Sequence, residues 1–262
     1  MTLLSTLVLY LGLTSALVLG ALILQTLPLL GAWTKPISQN LIQAPGLDAV
    51  VAYFTLFPLV VSLSALGFWG IPVAIAAEVS AVMVWVSIDE RVRSPQSGTE
   101  SIHVTLGTIV GKWQNHAALW VTAIAIPTFW VVRLSEWLAY PPLTWLIRLP
   151  AYDAKDWVNV SRQKFEGLVG YDLIWCLYCD WMTGVWSLGT EMLRNVESFW
   201  CPIRFSSEKK CENCKVDFPD VNSSWIPSTG TMDEVTDLLR QEYDHENDRS
   251  WHGHPSRSDS SS

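Results

Sequence analysis

Long apolar runs with almost no charge dominate the first half of the chain. The first run extends from Leu3 to Leu30 and stops before Lys35 and Pro36. At 1.5 Å per residue, a helix of this length crosses the ~30 Å hydrocarbon core of a bilayer. It is too long for the apolar region of a signal peptide, and no small-residue cleavage motif follows it. The pattern therefore predicts a first transmembrane helix that is retained.

The second apolar run covers residues 49–88 and is too long for one membrane crossing. Its middle carries the tetrapeptide Gly67-Phe-Trp-Gly70, and Pro72 follows shortly after. Glycine and proline at this spacing favour a turn. We therefore expect a helical hairpin, with helices at 49–66 and 71–88.

A further charge-poor run predicts a fourth transmembrane helix at 116–138, with a kink at Pro127. Arg133 and Glu136 stand three residues apart near its end and can pair on one helix face, or Arg133 can extend to the headgroups. Residues 1–140 are thus predicted to form a bundle of about four transmembrane helices. An even number of crossings would place both termini on the same side.

Residues 141–198 have a different pattern, which favours helices that lie along the membrane surface. The segment Leu143 to Leu149 is too short to cross and contains Trp145 and Arg148. Over 171–198, polar and apolar residues recur at spacings of three or four and form two stripes. Asp172 and Asp180 in the polar stripe weigh against a membrane crossing. We therefore interpret this segment as an amphipathic interfacial helix.

The remaining chain is predicted to contain a small Cys-rich module at 199–243 and a disordered tail at 244–262. The tetrapeptide Thr231-Met-Asp-Glu234 has the form of a capping box and predicts a short helix. The tail is rich in charge and serine, a composition typical of disorder. The expected fold is therefore an all-α membrane protein with an amphipathic helix and a Cys-rich module.

Composition and charge narrow the class of partner. Residues 217–262 carry ten carboxylates and three arginines, so nucleic acid is not an expected partner. The chain has fifteen tryptophans, a residue that favours the membrane–water interface. We expect the chain to contact the lipid bilayer and other membrane protein subunits.

Five cysteines, all in the second half, supply the candidate chemistry. Cys176 and Cys179 form one C-x-x-C pair, and Cys211 and Cys214 form another. Two such pairs can supply four thiolates to one tetrahedral metal ion, although the gap between them exceeds the usual zinc spacing. Cys201 lies within that gap and is a possible substitute ligand. Zinc is the expected metal, with a mononuclear iron as the alternative.

Two other hypotheses stay open, one for the cysteines and one for an acidic residue in a predicted span. The C-x-x-C pairs can also support thiol–disulfide exchange, which would make the protein a membrane-bound oxidoreductase. Glu78, an acid inside a predicted span, is either a proton or cation site of a transporter or a neutral glutamate buried between helices. Because no other reactive motif is present, we expect a non-catalytic scaffold, assembly or accessory subunit. Zinc and reduced thiols would place the Cys-rich part on the cytoplasmic, reducing side.

Overall fold

The computed structural model describes residues 3–93, 100–162, 165, 167–207, 209–210, 221, 224–244, 249–251 and 254. Across these ranges the chain is helical, with two isolated bridges, Gln43 with Asn159 and Ile203 with Ile226, and no strand. It divides into two compact units. The first comprises Met1–Pro127 and Ala154–Gly184, and the second comprises Thr128–Asp153 and Val185–Ser262.

The helices of the first half are α1 (Leu3–Thr26), α2 (Lys35–Leu41), α3 (Gly46–Leu66), α4 (Gly70–Val92), α5 (Ile102–Val110), α6 (Lys112–Thr122) and α7 (Ile126–Leu138). Those of the second half are α8 (Tyr140–Ile147), α9 (Ala154–Trp157), α10 (Gly170–Trp200) and α11 (Met232–Tyr243). Short 3-10 segments lie at Leu27–Leu30, Gly67–Trp69 and Ala123–Ala125. The all-helical prediction is confirmed over these ranges.

Helices α1, α3 and α4 pack together as a bundle in the first unit. Near the start of α1, the Tyr10 hydroxyl lies 2.7 Å from Ser80 Oγ of α4. Near the end of α1, Gln25 Nε2 lies 2.6 Å from Asp89 Oδ1, which is further along α4. These two contacts make α1 and α4 parallel. Tyr53 of α3 donates from its hydroxyl to the carbonyl of Ala16 in α1 at 2.7 Å.

The turn between α3 and α4 follows the pattern predicted from its glycines. Gly67 has φ of +59°, a conformation that side chains disfavour. At Gly70, an added Cβ would overlap the backbone of Ser62, so glycine permits the two helices to approach closely. The predicted hairpin is confirmed, and α3 runs antiparallel to both α1 and α4.

Three stretches of helix are long and apolar enough to cross a membrane: Leu3–Leu30, Gly46–Val92 and Lys112–Ile147. The first is strongly apolar, yet only 11% of its most apolar part is buried inside the fold. Such a large exposed apolar surface requires a cover, and a bilayer supplies one. Within the second stretch, α3 has 21 residues and α4 has 23, or about 32 and 35 Å at the helical rise.

Exposed indoles lie near the ends of helices within these stretches. Trp33 is 93% exposed just beyond α1, and Trp69 is 79% exposed in the turn between α3 and α4. Trp113 and Trp145 are similarly exposed near the two ends of the third stretch. Trp33 and Trp69 lie at opposite ends of the bundle, a placement compatible with the two aromatic belts of a membrane protein.

The third stretch differs from the continuous fourth span predicted at 116–138. Helix α6 ends at Thr122, and a 3-10 segment precedes α7. Pro127 explains the break, because it lacks the N–H that would bond the carbonyl of Ala123 in a continuous helix. Arg133 and Glu136 form the predicted pair, but Arg133 is 1% exposed and does not extend outward.

The N-terminal part of α10 crosses the end of the three-helix bundle. The backbone N–H of Gly170 donates to Asp89 near the end of α4, and the Trp181 indole donates to Asp48 at the start of α3. Both acceptors lie at the bundle end opposite the N-terminus. The first part of α10 therefore lies on the bundle end rather than extending the bundle.

These contacts also bear on the number of crossings. Asp172 binds the start of α5, so residues 102–103 lie at the same bundle end as residues 154–184. The chain between these two segments begins and ends at one end of the bundle. The predicted count of four crossings, with both termini on one side, is not confirmed.

In the second unit, α11 begins at the predicted capping box. Thr231 Oγ1 accepts from the Glu234 N–H at 3.3 Å, and Glu234 Oε2 accepts from the Thr231 N–H at 2.6 Å. Tyr243 at the other end of α11 is buried, and its hydroxyl lies 2.9 Å from Ser198 Oγ of α10. The predicted short helix is confirmed.

Candidate functional site

Four buried aspartates gather at the bundle end opposite the N-terminus, which we call the aspartate end: Asp48, Asp89, Asp172 and Asp180. Each is at most 7% exposed. A buried carboxylate is costly unless hydrogen bonds satisfy it. The hydrogen-bond donors of each aspartate therefore show which chain segments it joins.

Asp89 receives donors from three segments. Gln25 Nε2 and Arg93 Nε each lie 2.6 Å from its Oδ1, and the Gly170 N–H lies 2.8 Å from its Oδ2. Gly170 is the first residue of α10, whose N–H groups lack intrahelical acceptors. Asp89 thus satisfies the start of α10 and joins it to α1 and α4.

Asp172 caps the start of α5. Its two oxygens accept from the N–H groups of Ile102 at 2.7 Å and His103 at 2.8 Å. The Ser101 side chain accepts from the Val104 N–H at 3.2 Å. The first three N–H groups of α5 are therefore satisfied by one aspartate and one N-cap serine.

Asp180 and Asp48 hold two further segments at the same end. Asp180 Oδ2 accepts from the N–H groups of Ser161 at 2.8 Å and Arg162 at 2.9 Å, and the Arg162 side chain pairs with its Oδ1 at 3.0 Å. Asp48 Oδ1 accepts from the fully buried Trp181 indole at 3.0 Å. All four carboxylates are thus engaged in joining chain segments.

The cysteines of the first unit lie on α10 near this end. Cys176 and Cys179 are free thiols, both partly exposed and one helical turn apart. In the second unit Cys201 is an exposed free thiol. Cys211 and Cys214 lie outside the described residues. Over the part of the chain that the structure describes, no group of three or more His, Cys, Asp or Glu residues is arranged to hold a metal.

The surroundings of Cys176 favour the neutral thiol. Burial raises its pKa, and the nearby Cys179, Asp172 and Asp180 raise it further, while Arg162 opposes the rise. Since the thiolate is the reactive form, Cys176 is a poor nucleophile at neutral pH. A metal ion would have to displace a proton from it on binding.

In the second unit, the C-terminal part of α10 carries a separate polar cluster around Glu191 and Asn195, which are 5% and 0% exposed. Glu191 Oε2 accepts from Arg194 Nη1 at 3.0 Å, and its Oε1 accepts from the Tyr152 hydroxyl at 3.1 Å. Burial, together with the Glu191 charge, raises the pKa of Tyr152, although the Asn195 contact opposes the rise, so the phenol stays a donor.

A C-terminal segment lies on this cluster. The Trp251 indole donates to Glu191 Oε1 at 2.7 Å, and the Trp251 backbone N–H donates to Asn195 Oδ1 at 2.8 Å. His254 Nε2 lies 3.3 Å from Glu191 Oε1. Trp251 is 5% exposed, although it falls in the predicted disordered tail 244–262.

Glu78 occupies the middle of α4 and is partly buried. Its Oε1 is enclosed and has no hydrogen-bond partner among the residues that the structure describes. The sequence singled out this residue because a carboxylate inside a span is costly.

Comparison with known proteins identifies no relative, since no family model, curated protein or solved structure matches the chain. Sequence patterns located the helix that carries Cys176 and Cys179 but missed the aspartate end. The signal was the polar stripe of α10, which contains Asp172, Asp180 and Glu191. Its aspartates and glutamate accept from N–H and O–H donors of other segments.

Proposed function

We propose that this protein is a multi-pass membrane protein that acts as a non-catalytic assembly or accessory subunit of a membrane complex. The observation that carries the proposal is that the buried carboxylates of the aspartate end join chain segments. Asp89, Asp172 and Asp180 each accept from backbone N–H groups of another segment. Such carboxylates stabilise a surface and are not poised for proton transfer or nucleophilic attack.

Three crossings by α1, α3 and α4 fit this proposal. They would place the aspartate end, with Cys176 and Cys179, on one side of the membrane and the N-terminus on the other. Reduced thiols favour a reducing compartment, so we assign the aspartate end to the cytoplasmic side. The lipid bilayer and other membrane subunits are the expected partners.

The cysteines are proposed to form a structural zinc-type site, with Cys176, Cys179, Cys211 and Cys214 as ligands and Cys201 as a substitute. Support comes from the free, partly exposed state of Cys176 and Cys179 within one helical turn, which lets two sulfur atoms reach one ion. A mononuclear iron is the alternative metal. Because burial raises the pKa of Cys176, thiol–disulfide exchange is the weaker alternative.

Elemental analysis combined with free-thiol counting on the purified protein tests the metal site. About one zinc or iron per chain is expected, and Cys179→Ser should release it. Cys201→Ser is the matched control and should retain the metal unless Cys201 is itself a ligand. Metal-free protein with two disulfides would instead support the oxidoreductase.

A transporter that uses Glu78 is the other candidate, and the enclosed Glu78 Oε1 is the observation that favours it. Ion-flux assays in vesicles with Glu78→Gln test it, with Glu90→Gln as a control at the end of the same helix. Loss of flux in Glu78→Gln alone, with normal assembly, would replace the accessory role with transport.

A further inference from the structure

The cluster at Glu191 and Asn195 has the properties of a ligand site that exists independently of the segment that occupies it. Asn195 Nδ2 contacts the Tyr152 hydroxyl at 2.8 Å and the Glu191 carbonyl at 3.0 Å. A carbonyl only accepts, so this contact fixes which side of the amide carries Nδ2. Asn195 Oδ1 is consequently directed to the Trp251 N–H by groups that belong to α10 and its neighbours.

Glu191 is prepared in the same way. Arg194 holds its Oε2, and the Tyr152 hydroxyl donates to its Oε1. Neither residue belongs to the C-terminal segment. Two acceptors, one amide oxygen and one carboxylate oxygen, would therefore keep their positions if the segment left, which is the condition called preorganisation in binding sites.

The segment itself binds as a peptide ligand does. It supplies one backbone N–H and one indole N–H, both from Trp251, and its aromatic ring lies 5.4 Å from the Arg194 guanidinium carbon. His254 adds a nitrogen beside the carboxylate, and Arg249 Nη1 donates to the carbonyl of Ile147 at the end of α8. Tryptophan and arginine are enriched among the residues that dominate binding energy, and Trp251 is buried in its site as such residues are.

We propose that Glu191, Arg194 and Asn195 form a peptide-recognition site that residues 249–251 and 254 of the chain's own C-terminal segment occupy, and that a tryptophan-bearing peptide binds there when this segment leaves. In this site Asn195 recognises a backbone N–H and Glu191 recognises an indole N–H, each by accepting a hydrogen bond. Tethering gives the chain's own segment a high effective concentration, so it competes strongly with any free peptide. The proposal depends on neither the membrane topology nor the metal site.

A fluorescein-labelled peptide with the sequence of residues 247–256 tests the proposal on the full-length protein. Trp251→Ala should release the tethered segment, so this variant should bind the peptide saturably in fluorescence anisotropy. Wild-type protein should bind it at least about tenfold more weakly, because its own segment competes. Trp200→Ala removes an exposed tryptophan of α10 and should behave like the wild type.

Two further variants test the contacts. Adding Glu191→Gln to Trp251→Ala should weaken peptide binding about tenfold to a hundredfold, since it removes a charged acceptor. Glu197→Gln on the same helix is the matched control and should leave binding unchanged. Circular dichroism verifies folding, and Trp251→Phe, which removes only the indole N–H and keeps an aromatic ring, replaces Trp251→Ala should that variant unfold.

Absence of saturable binding to the folded Trp251→Ala or Trp251→Phe protein would overturn the proposal. Binding that is equally tight with Glu191→Gln, or with a peptide in which the tryptophan is replaced by alanine, would also overturn it.

Discussion

Replacing Asp89 with alanine tests how the start of α10 is held to the bundle. The substitution removes the acceptor of the Gln25 amide, the Arg93 guanidinium and the Gly170 N–H. Hydrogen bonds to a charged group contribute about 1.5–3 kcal/mol each. Arg93 is 38% exposed, so solvent screening limits its pair to about 0–1 kcal/mol. The bonds from the half-buried Gln25 amide and the buried Gly170 N–H then dominate, and we expect a loss of about 3–6 kcal/mol.

The loss should be concentrated at the start of α10, where the Gly170 N–H would lack its acceptor. Hydrogen exchange read by mass spectrometry on detergent-solubilised protein measures it directly. Because 1.36 kcal/mol corresponds to a factor of ten, a local loss of about 3 kcal/mol accelerates exchange in the first turn by about a hundredfold. Asp89→Asn keeps one carbonyl oxygen and should show a smaller effect.

Asp237→Ala is the matched control, because its pair with Arg240 is 3.3 Å long and both side chains are about three-quarters exposed. Such a pair contributes about 0–1 kcal/mol, so exchange in α10 should not change. Unchanged exchange around Gly170 in a folded Asp89→Ala protein would refute the idea that Asp89 joins α10 to the bundle.

Three smaller predictions follow from local geometry. Thr231→Ala removes the N-cap of α11 and should cost about 1 kcal/mol, seen as faster exchange in that helix alone. Gly184→Ala places a Cβ 2.5 Å from the Trp157 carbonyl oxygen and should cost about 1–3 kcal/mol, whereas Gly12→Ala has no atom within 4 Å of its Cβ and should be tolerated; equal melting temperatures would contradict this. Burial raises the pKa of Cys176, so the folded state keeps this proton to higher pH than the unfolded state and loses stability as pH rises above the ordinary thiol range. Iodoacetamide should accordingly modify Cys176 more slowly in folded than in denatured protein, and equal rates near pH 8 would contradict the shift.

Patterns over short stretches of sequence predicted the local elements well. The glycines at 67 and 70 predicted the hairpin turn, and Thr231 with Glu234 predicted the capping box, because both depend on residues only a few positions apart. The two-stripe pattern likewise predicted α10. Its bounds, Gly170–Trp200, lie within two residues of the predicted segment.

Contacts between distant residues were not predictable in the same way. Asp48 and Trp181 are 133 positions apart, and no local periodicity specifies that they meet. The two stripes of α10 predicted an interfacial helix, but they did not show that Asp172 and Asp180 accept from backbone N–H groups of other segments. Hydrophobic periodicity shows which residues share a helix face but not whether that face meets water or donors of another segment.

The burial of Trp251 was not predictable from the composition of the tail either. A charged, serine-rich composition favours disorder, because it offers little apolar surface to bury. One tryptophan is enough to dock a short segment when acceptors such as Glu191 and Asn195 are already in place. Composition averages over a segment and does not register one such anchor.

The central claim is that α1, α3 and α4 cross a bilayer and that the aspartate end lies on the side opposite the N-terminus. Labelling of Phe68→Cys and Lys155→Cys by a membrane-impermeant maleimide in sealed vesicles tests it most directly. Phe68 lies in the turn between α3 and α4, and Lys155 lies at the aspartate end; both are exposed. Scoring each site by peptide mass separates it from the native cysteines. The account predicts that only one of the two sites is labelled in sealed vesicles and that both are labelled after permeabilisation. Equal labelling of both sites in sealed vesicles would contradict it.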